Sequence, residues 1–153
     1  MKEKFLSLYC DIAERIAELS YAQRLKVGAV IVKDHRILSY GYNGTPAGFD
    51  NTCEIPADYA VFYIDQTVTK PEVIHAEQNA LMKVARSHDS TEGASMFITH
   101  SPCVDCAKLI LQSGIREVYF IHAYRNDAGL KVLEAGGVTL HRVSKADPPL
   151  LPL

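Results

Sequence analysis

The segment SMFITHSPCVDCAKLILQSGIREVYFIH, residues 95–122, changes period twice. SMFITH is a short apolar run of strand length. CVDCAKLILQSG carries its apolar residues at helical spacing and stops at Gly114, where a helix end favours glycine. REVYFIH returns to a strand pattern. Strand, helix and strand in this order form a βαβ unit, whose two strands pair in parallel through a right-handed crossover.

Downstream, NDAGLKVLEAGG (126–137) predicts a short helix with a glycine stop, and VTLHRV (138–143) a last strand. Upstream, HAEQNALMKVARS (75–87) predicts a helix with Ala76, Ala80, Leu81 and Val84 on one side. KVGAVIV and ILSYGYNG flank a tight Asp34-His35 turn and form a hairpin. Phe5, Leu8, Tyr9, Ile12, Ile16 and Leu19 recur at helical spacing and define a first helix over roughly 3–19. Asn43 to Pro56 is rich in Gly, Pro, Asn and Thr and is expected to be loop. Ala57 to Pro71 shows no clean period and is expected to be loop with a short helix. The proline-rich tail SKADPPLLPL (144–153) is expected to lie extended or loose. The sum is an α/β chain: a hairpin followed by βαβαβ, giving a five-stranded mixed sheet with helices on both faces. Its 153 residues suit one domain, 1–153, with a full core.

Bulk properties narrow the function. Net charge is -2 with no run of lysine or arginine, so the chain lacks the basic stripe of a nucleic-acid binder. The N-terminus has no apolar h-region, and the longest apolar run, around Val27–Val32, is too short to span a bilayer. A cytoplasmic protein is expected, with neither nucleic acid nor membrane as partner. In that compartment close cysteines read as metal or redox sites rather than disulfides.

Cys103 and Cys106 are one helical step apart, so both sulfurs can face one point. Ser101 suits a helix cap and Pro102 a first turn. The positive helix end favours thiolate. His75, opening the preceding helix, is the candidate third ligand. One His and two Cys match the count of a catalytic zinc, which keeps a corner for water. Glu77, two residues on, can then handle that water's proton without ligating the metal. A thiol-redox reading of the Cys pair leaves His75 and Glu77 idle. A structural zinc module gives no reason for Glu77.

His75-Ala-Glu77 followed by Pro102-Cys103-x-x-Cys106 resembles the signature of the zinc deaminases. The expected hairpin and βαβαβ likewise resemble the cytidine deaminase-like three-layer fold. Within that superfamily GYNGTPAG (41–48), HAEQNA (75–80) and SPCVDCAKLI (101–110) resemble the motifs of the deoxycytidylate (dCMP) deaminase family. The resemblance implies hydrolysis of dCMP to dUMP, the thymidylate precursor, with one catalytic Zn2+ on His75, Cys103 and Cys106 and Glu77 as proton shuttle. It implies substrate contacts by Asn43, Asn79, Tyr124, Ala76 and Ser101, and phosphate contacts by Arg125 and Arg24. Some relatives are hexamers, activated by dCTP and inhibited by dTTP. The same resemblance therefore implies a homo-oligomer, with an effector loop at Gly44, Thr45 and Pro46 and Mg2+ accompanying bound dCTP. Acceptance of dCTP as a substrate stays open, as do free cytidine, guanine or tRNA adenosine as the base acted on. A second, structural zinc is not expected: Cys53 lies after GYNG, but the end of the first helix has no cysteine. Cys10 is expected to be a core thiol.

Overall fold

The computed structural model describes residues 1–57, 67–124 and 126–144. The hairpin is made by β1 (Gly28–Lys33) and β2 (Arg36–Tyr42). Asp34 (φ 49°) and His35 (φ 60°) both take the left-handed region that a two-residue primed turn requires. Strands β5 (Ser95–His100), β6 (Glu117–His122) and β7 (Thr139–Arg142) follow. Five strands lie in the order β2-β1-β5-β6-β7. The β2/β1 and β1/β5 pairs are antiparallel and the β5/β6 and β6/β7 pairs parallel, which is the expected mixed sheet.

Side chains alternate across each central strand and feed two cores. Val30, Val32, Phe97 and Tyr119 face α1 (Glu3–Ala17), which contributes Tyr9, Cys10 and Ala13. Ala29, Ile31, Met96, Ile98 and Val118 face α2 (Ala76–Ala85), α3 (Val104–Gln112) and α4 (Ala128–Ala135), through Leu81, Val84, Ile110 and Leu133. Three layers result, with one helix on one face and three on the other. Cys10 is a core thiol in the first of these cores.

Two expectations need correction. The segment read as loop from Asn43 to Pro56, and the ambiguous stretch after it, contain a second small sheet. β3 (Glu54–Pro56) pairs antiparallel with β4 (Thr67–Thr69). Three-residue strands carry too few alternating positions to give a period. The start of α3 also shifts. Its N-cap is Cys103, not Ser101, because Ser101 is still bonded to the neighbouring strand just past β5, its N–H donating to the His122 carbonyl at 2.9 Å. The tail from 145 onward lies outside the described residues.

Two glycines allow backbones to touch where the sequence reading assigned them no packing role. A Cβ on Gly41 would sit 2.2 Å from the Ala76 carbonyl oxygen and 2.5 Å from the Ala80 nitrogen. A Cβ on Gly129 would sit 2.0 Å from the Pro102 carbonyl oxygen. Gly41 therefore lets the first turn of α2 lie directly on β2. Gly129 lets α4 lie directly on the loop that begins α3. In Gly41→Ala the helix must move, since the opposing atoms are backbone. We expect a loss of about 1–3 kcal/mol, the usual range for overpacking, measurable by urea unfolding.

Candidate active site

α2 and α3 both begin at the carboxyl ends of the sheet's parallel strands, where open α/β sheets hold ligands. His75 is the N-cap of α2 and Cys103 the N-cap of α3, so each takes an extended backbone at a helix start. Two bonds fix the approach of His75. Gln78 accepts the His75 N–H on Oε1 at 2.9 Å, the reciprocal half of a capping box. Immediately before, Ile74 exchanges backbone hydrogen bonds with Gly44 at 3.0 and 3.1 Å. That bridge brings the GYNG segment alongside α2 and supplies the positioning that a loop-led helix lacks on its own.

The donor atoms of His75, Cys103 and Cys106 lie within 4.8 Å of one another. Nδ1 of His75 is 3.6 Å from Sγ of Cys103 and 3.3 Å from Sγ of Cys106. Tetrahedral zinc, with bonds of about 2.3 Å to sulfur and 2.0–2.1 Å to nitrogen, requires nitrogen and sulfur roughly 3.5 Å apart. The three donors therefore stand at the edges of a zinc tetrahedron, and their number is that of a catalytic site. The electrostatics agree. Hydrogen bonds from Cys106 and then His75 draw the Cys103 thiol down to about 4. Its bond to Cys103, followed by burial, pushes the Cys106 thiol up. The bond to Cys103 raises the affinity of His75 for its proton. Three groups share protons at one point, which is the place a cation fills.

Glu77 is 4% exposed, nearly as deep as the core residues around it. Burial is the main cause that pushes its carboxyl up, while a bond from its own N–H acts in the opposite direction. A carboxyl perturbed by burial at the edge of a cleft is the kind of group that active sites use for proton transfer.

These residues border a cavity of about 430 Å³, of the size that takes a small ligand. His75, Ala76, Glu77, Ser101, Cys103 and Tyr124 border it, as do Asn43 and Arg24 from the other side. Several of the expected contact residues are already engaged. Asn43 accepts the Val27 N–H and donates to the Leu25 carbonyl, both at 2.8 Å, so it shapes the wall. Ser101 Oγ accepts the Tyr124 N–H at 2.7 Å, tying Tyr124 to the α3 loop. Asn79 does not border the cavity; its amide donates to the Tyr42 carbonyl at 2.9 Å and binds α2 to β2. Gly44, Thr45 and Pro46 also lie off the cavity wall, with Thr45 Oγ1 donating to the Asp50 carbonyl at 2.7 Å. Arg125 lies outside the described residues.

Among the wall residues that the sequence reading did not name, two carry titratable side chains. Glu54 comes from β3, the strand that went unseen. His100 ends β5, half buried against His122 with ring centroids 4.9 Å apart. Burial, then His122, lowers its affinity for a proton. The position of His100 at the carboxyl end of a central strand was the available signal.

Fold and site together define a zinc-dependent hydrolytic deaminase. The chain belongs to the cytidine and deoxycytidylate deaminase family, whose zinc-binding region profile matches residues 2–122. It is 37% identical to ComE operon protein 2 of Bacillus subtilis over 84% of this chain and 65% of that one, so it spans a little under two thirds of that relative. It is 35% identical to the deoxycytidylate deaminase of Enterobacteria phage T4, over 91% of this chain and 90% of that one. A crystal structure of dCMP deaminase from cyanophage S-TIM5, in complex with dCMP and dUMP, superposes with a TM-score of 0.86 at 42% identity, covering 94% and 99% of the two chains.

His75→Ala removes the only nitrogen of the set. We expect the purified variant to fold and to carry less than about a tenth of the zinc of the parent by elemental analysis, since two thiolates alone do not make a three-ligand site.

Proposed function

We propose that the protein hydrolyses the 4-amino group of deoxycytidylate, releasing dUMP and ammonia. One observation carries the reading: His75, Cys103 and Cys106 converge, and two of them, with buried Glu77, border a cavity of nucleotide size. The relatives named above supply the substrate class.

Zinc on His75, Cys103 and Cys106 would supply the Lewis acidity that makes water a nucleophile near neutral pH. The chain's own groups do the rest. The Glu77 carboxylate takes a proton from the attacking water and gives it to ring N3 as the oxygen adds to C4. It then passes the adduct's hydroxyl proton to the exocyclic nitrogen, so that ammonia leaves as the C4–N bond breaks and the C4 carbonyl of dUMP forms. Burial raises the proton affinity of that carboxyl, which favours its taking a proton from water. Tyr124, bordering the cavity and tied to Ser101, covers base and sugar. Arg24 pairs with the phosphate, where a planar fork suits the oxygens, and Arg125 is proposed as its companion.

The finer properties follow the family. We assign activation by dCTP, with Mg2+, and inhibition by dTTP to the loop at Gly44, Thr45 and Pro46. Its two-bond bridge to Ile74, the neighbour of His75, supports that assignment. A homohexamer and a role in supplying dUMP for thymidylate synthesis complete the reading. A cytoplasmic location suits a centre that needs reduced thiols. No described helix is long and apolar enough to cross a membrane. A net charge of -2 argues against a nucleic-acid substrate. Use of dCTP as a second substrate would demand countercharge for two more phosphates. Arg24 is the only lysine or arginine among the described wall residues.

Ammonia release from deoxycytidine, dCMP and dCTP, each with and without dTTP, tests the reading. The highest kcat/KM is expected with dCMP; a preference for deoxycytidine would overturn it. Glu77→Gln should retain zinc and fold while losing about 10²–10⁴-fold in kcat, the usual worth of general acid–base catalysis. Arg24→Ala should raise KM for dCMP and leave that for deoxycytidine nearly unchanged, as steady-state kinetics with both substrates will show.

A further inference from the structure

Glu54 is a second carboxylate on the cavity wall, and the proton-transfer chemistry has no use for it. Its placement is fixed. Oε1 accepts the backbone N–H groups of Gln23 at 3.1 Å and Arg24 at 3.3 Å. The Glu54 backbone opens β3, opposite Thr69 of β4. The adjoining Cys53 is buried, and its carbonyl accepts the Lys70 N–H at 2.9 Å. The negative charge therefore cannot swing away from the wall at little cost. It accepts from the backbone of Arg24, whose side chain is the wall's only cationic fork among the described residues. Arg24 and Glu54 border the same cavity, so a phosphate that enters it to pair with Arg24 shares that space with the Glu54 charge.

From this juxtaposition we infer that Glu54 sets the number of phosphates the site accepts: Arg24 offsets one, and Glu54 repels the negative charge of any added to it. The inference rests on the deoxycytidylate reading of the site. Specificity of this kind needs a repulsive element as well as an attractive one. Like charges a few ångströms apart at a partly dry wall interact strongly enough to change relative affinity by an order of magnitude. Glu54 also braces the Gln23–Arg24 segment, so charge and brace must be separated experimentally. Gln at this position keeps an acceptor for the two N–H groups and loses the charge. Asp keeps the charge and is too short to hold the brace in place.

The experiment measures kcat/KM for deoxycytidine, dCMP and dCDP with the zinc-loaded parent, Glu54→Gln and Glu54→Asp. The dCDP-to-dCMP ratio is expected to rise about tenfold in Glu54→Gln and to stay near the parent value in Glu54→Asp. If dCDP is not turned over by the parent, its appearance as a substrate of Glu54→Gln counts as the rise. A ratio unchanged in Glu54→Gln overturns the inference. So does a ratio that changes in Glu54→Asp alone, which would make Glu54 a brace only. Failure of the underlying reading looks different: the parent itself would not prefer dCMP over deoxycytidine.

Discussion

Three donor atoms from two separate helices must meet within a few ångströms, and this requirement governs the placement of everything around them. His75 and Cys103 are 28 residues apart, and each is the N-cap of its helix. A helix start is a good place for a thiolate, because unpaired N–H groups point towards it. It is a poor place for precision, because helix ends fray. Precision comes from backbone packing. β2 carries the first turn of α2 on Gly41, and α4 presses Gly129 against the Pro102–Cys103 peptide. The Gly44–Ile74 bridge and the Gln78 side chain close the approach from the N-terminal side.

The two faces of the sheet divide the labour. On the α1 face the contacts are large and aromatic, with Tyr9, Phe97 and Tyr119 in successive ring contacts. That side anchors the central strands. On the opposite face the residues nearest the site are small: Ala29, Ala76, Ala80 and Ala107 are all fully buried. Small side chains let α2 and α3 approach the sheet closely, so their first turns meet at its carboxyl edge. The cavity opens at that meeting point, bounded on its outer side by β3, β4 and the segment after α1.

Much of this was legible in the residues. The main sheet and its four helices follow from period and turn signals, which are local. His75, Cys103 and Cys106 could be nominated by residue type and spacing, while their convergence depends on packing across 28 residues. The roles of Glu54, Asn79 and Ser101 were not legible, because they depend on what stands across a gap. Asn79 is a polar residue one turn after His75, which equally suits a ligand contact or a bond to β2; the Tyr42 carbonyl decides it. Ser101 reads as a helix cap until its N–H, one residue past the end of β5, is seen bonded to the His122 carbonyl. Glu54 sits on a three-residue strand whose pairing partner lies thirteen positions on, beyond the reach of any local pattern.

The bridge between Gly44 and Ile74 leaves little slack. Ile74 hands the chain directly to His75, so the peptide that carries the imidazole is hydrogen-bonded through its neighbour to the mouth of the 44–46 loop. One residue of chain and two backbone hydrogen bonds separate Gly44 from the peptide of His75. The donor atoms are spaced to tenths of an ångström, and bond lengths to a metal tolerate little more than that. The loop some thirty residues earlier and the imidazole are therefore held on one continuous run of hydrogen-bonded backbone.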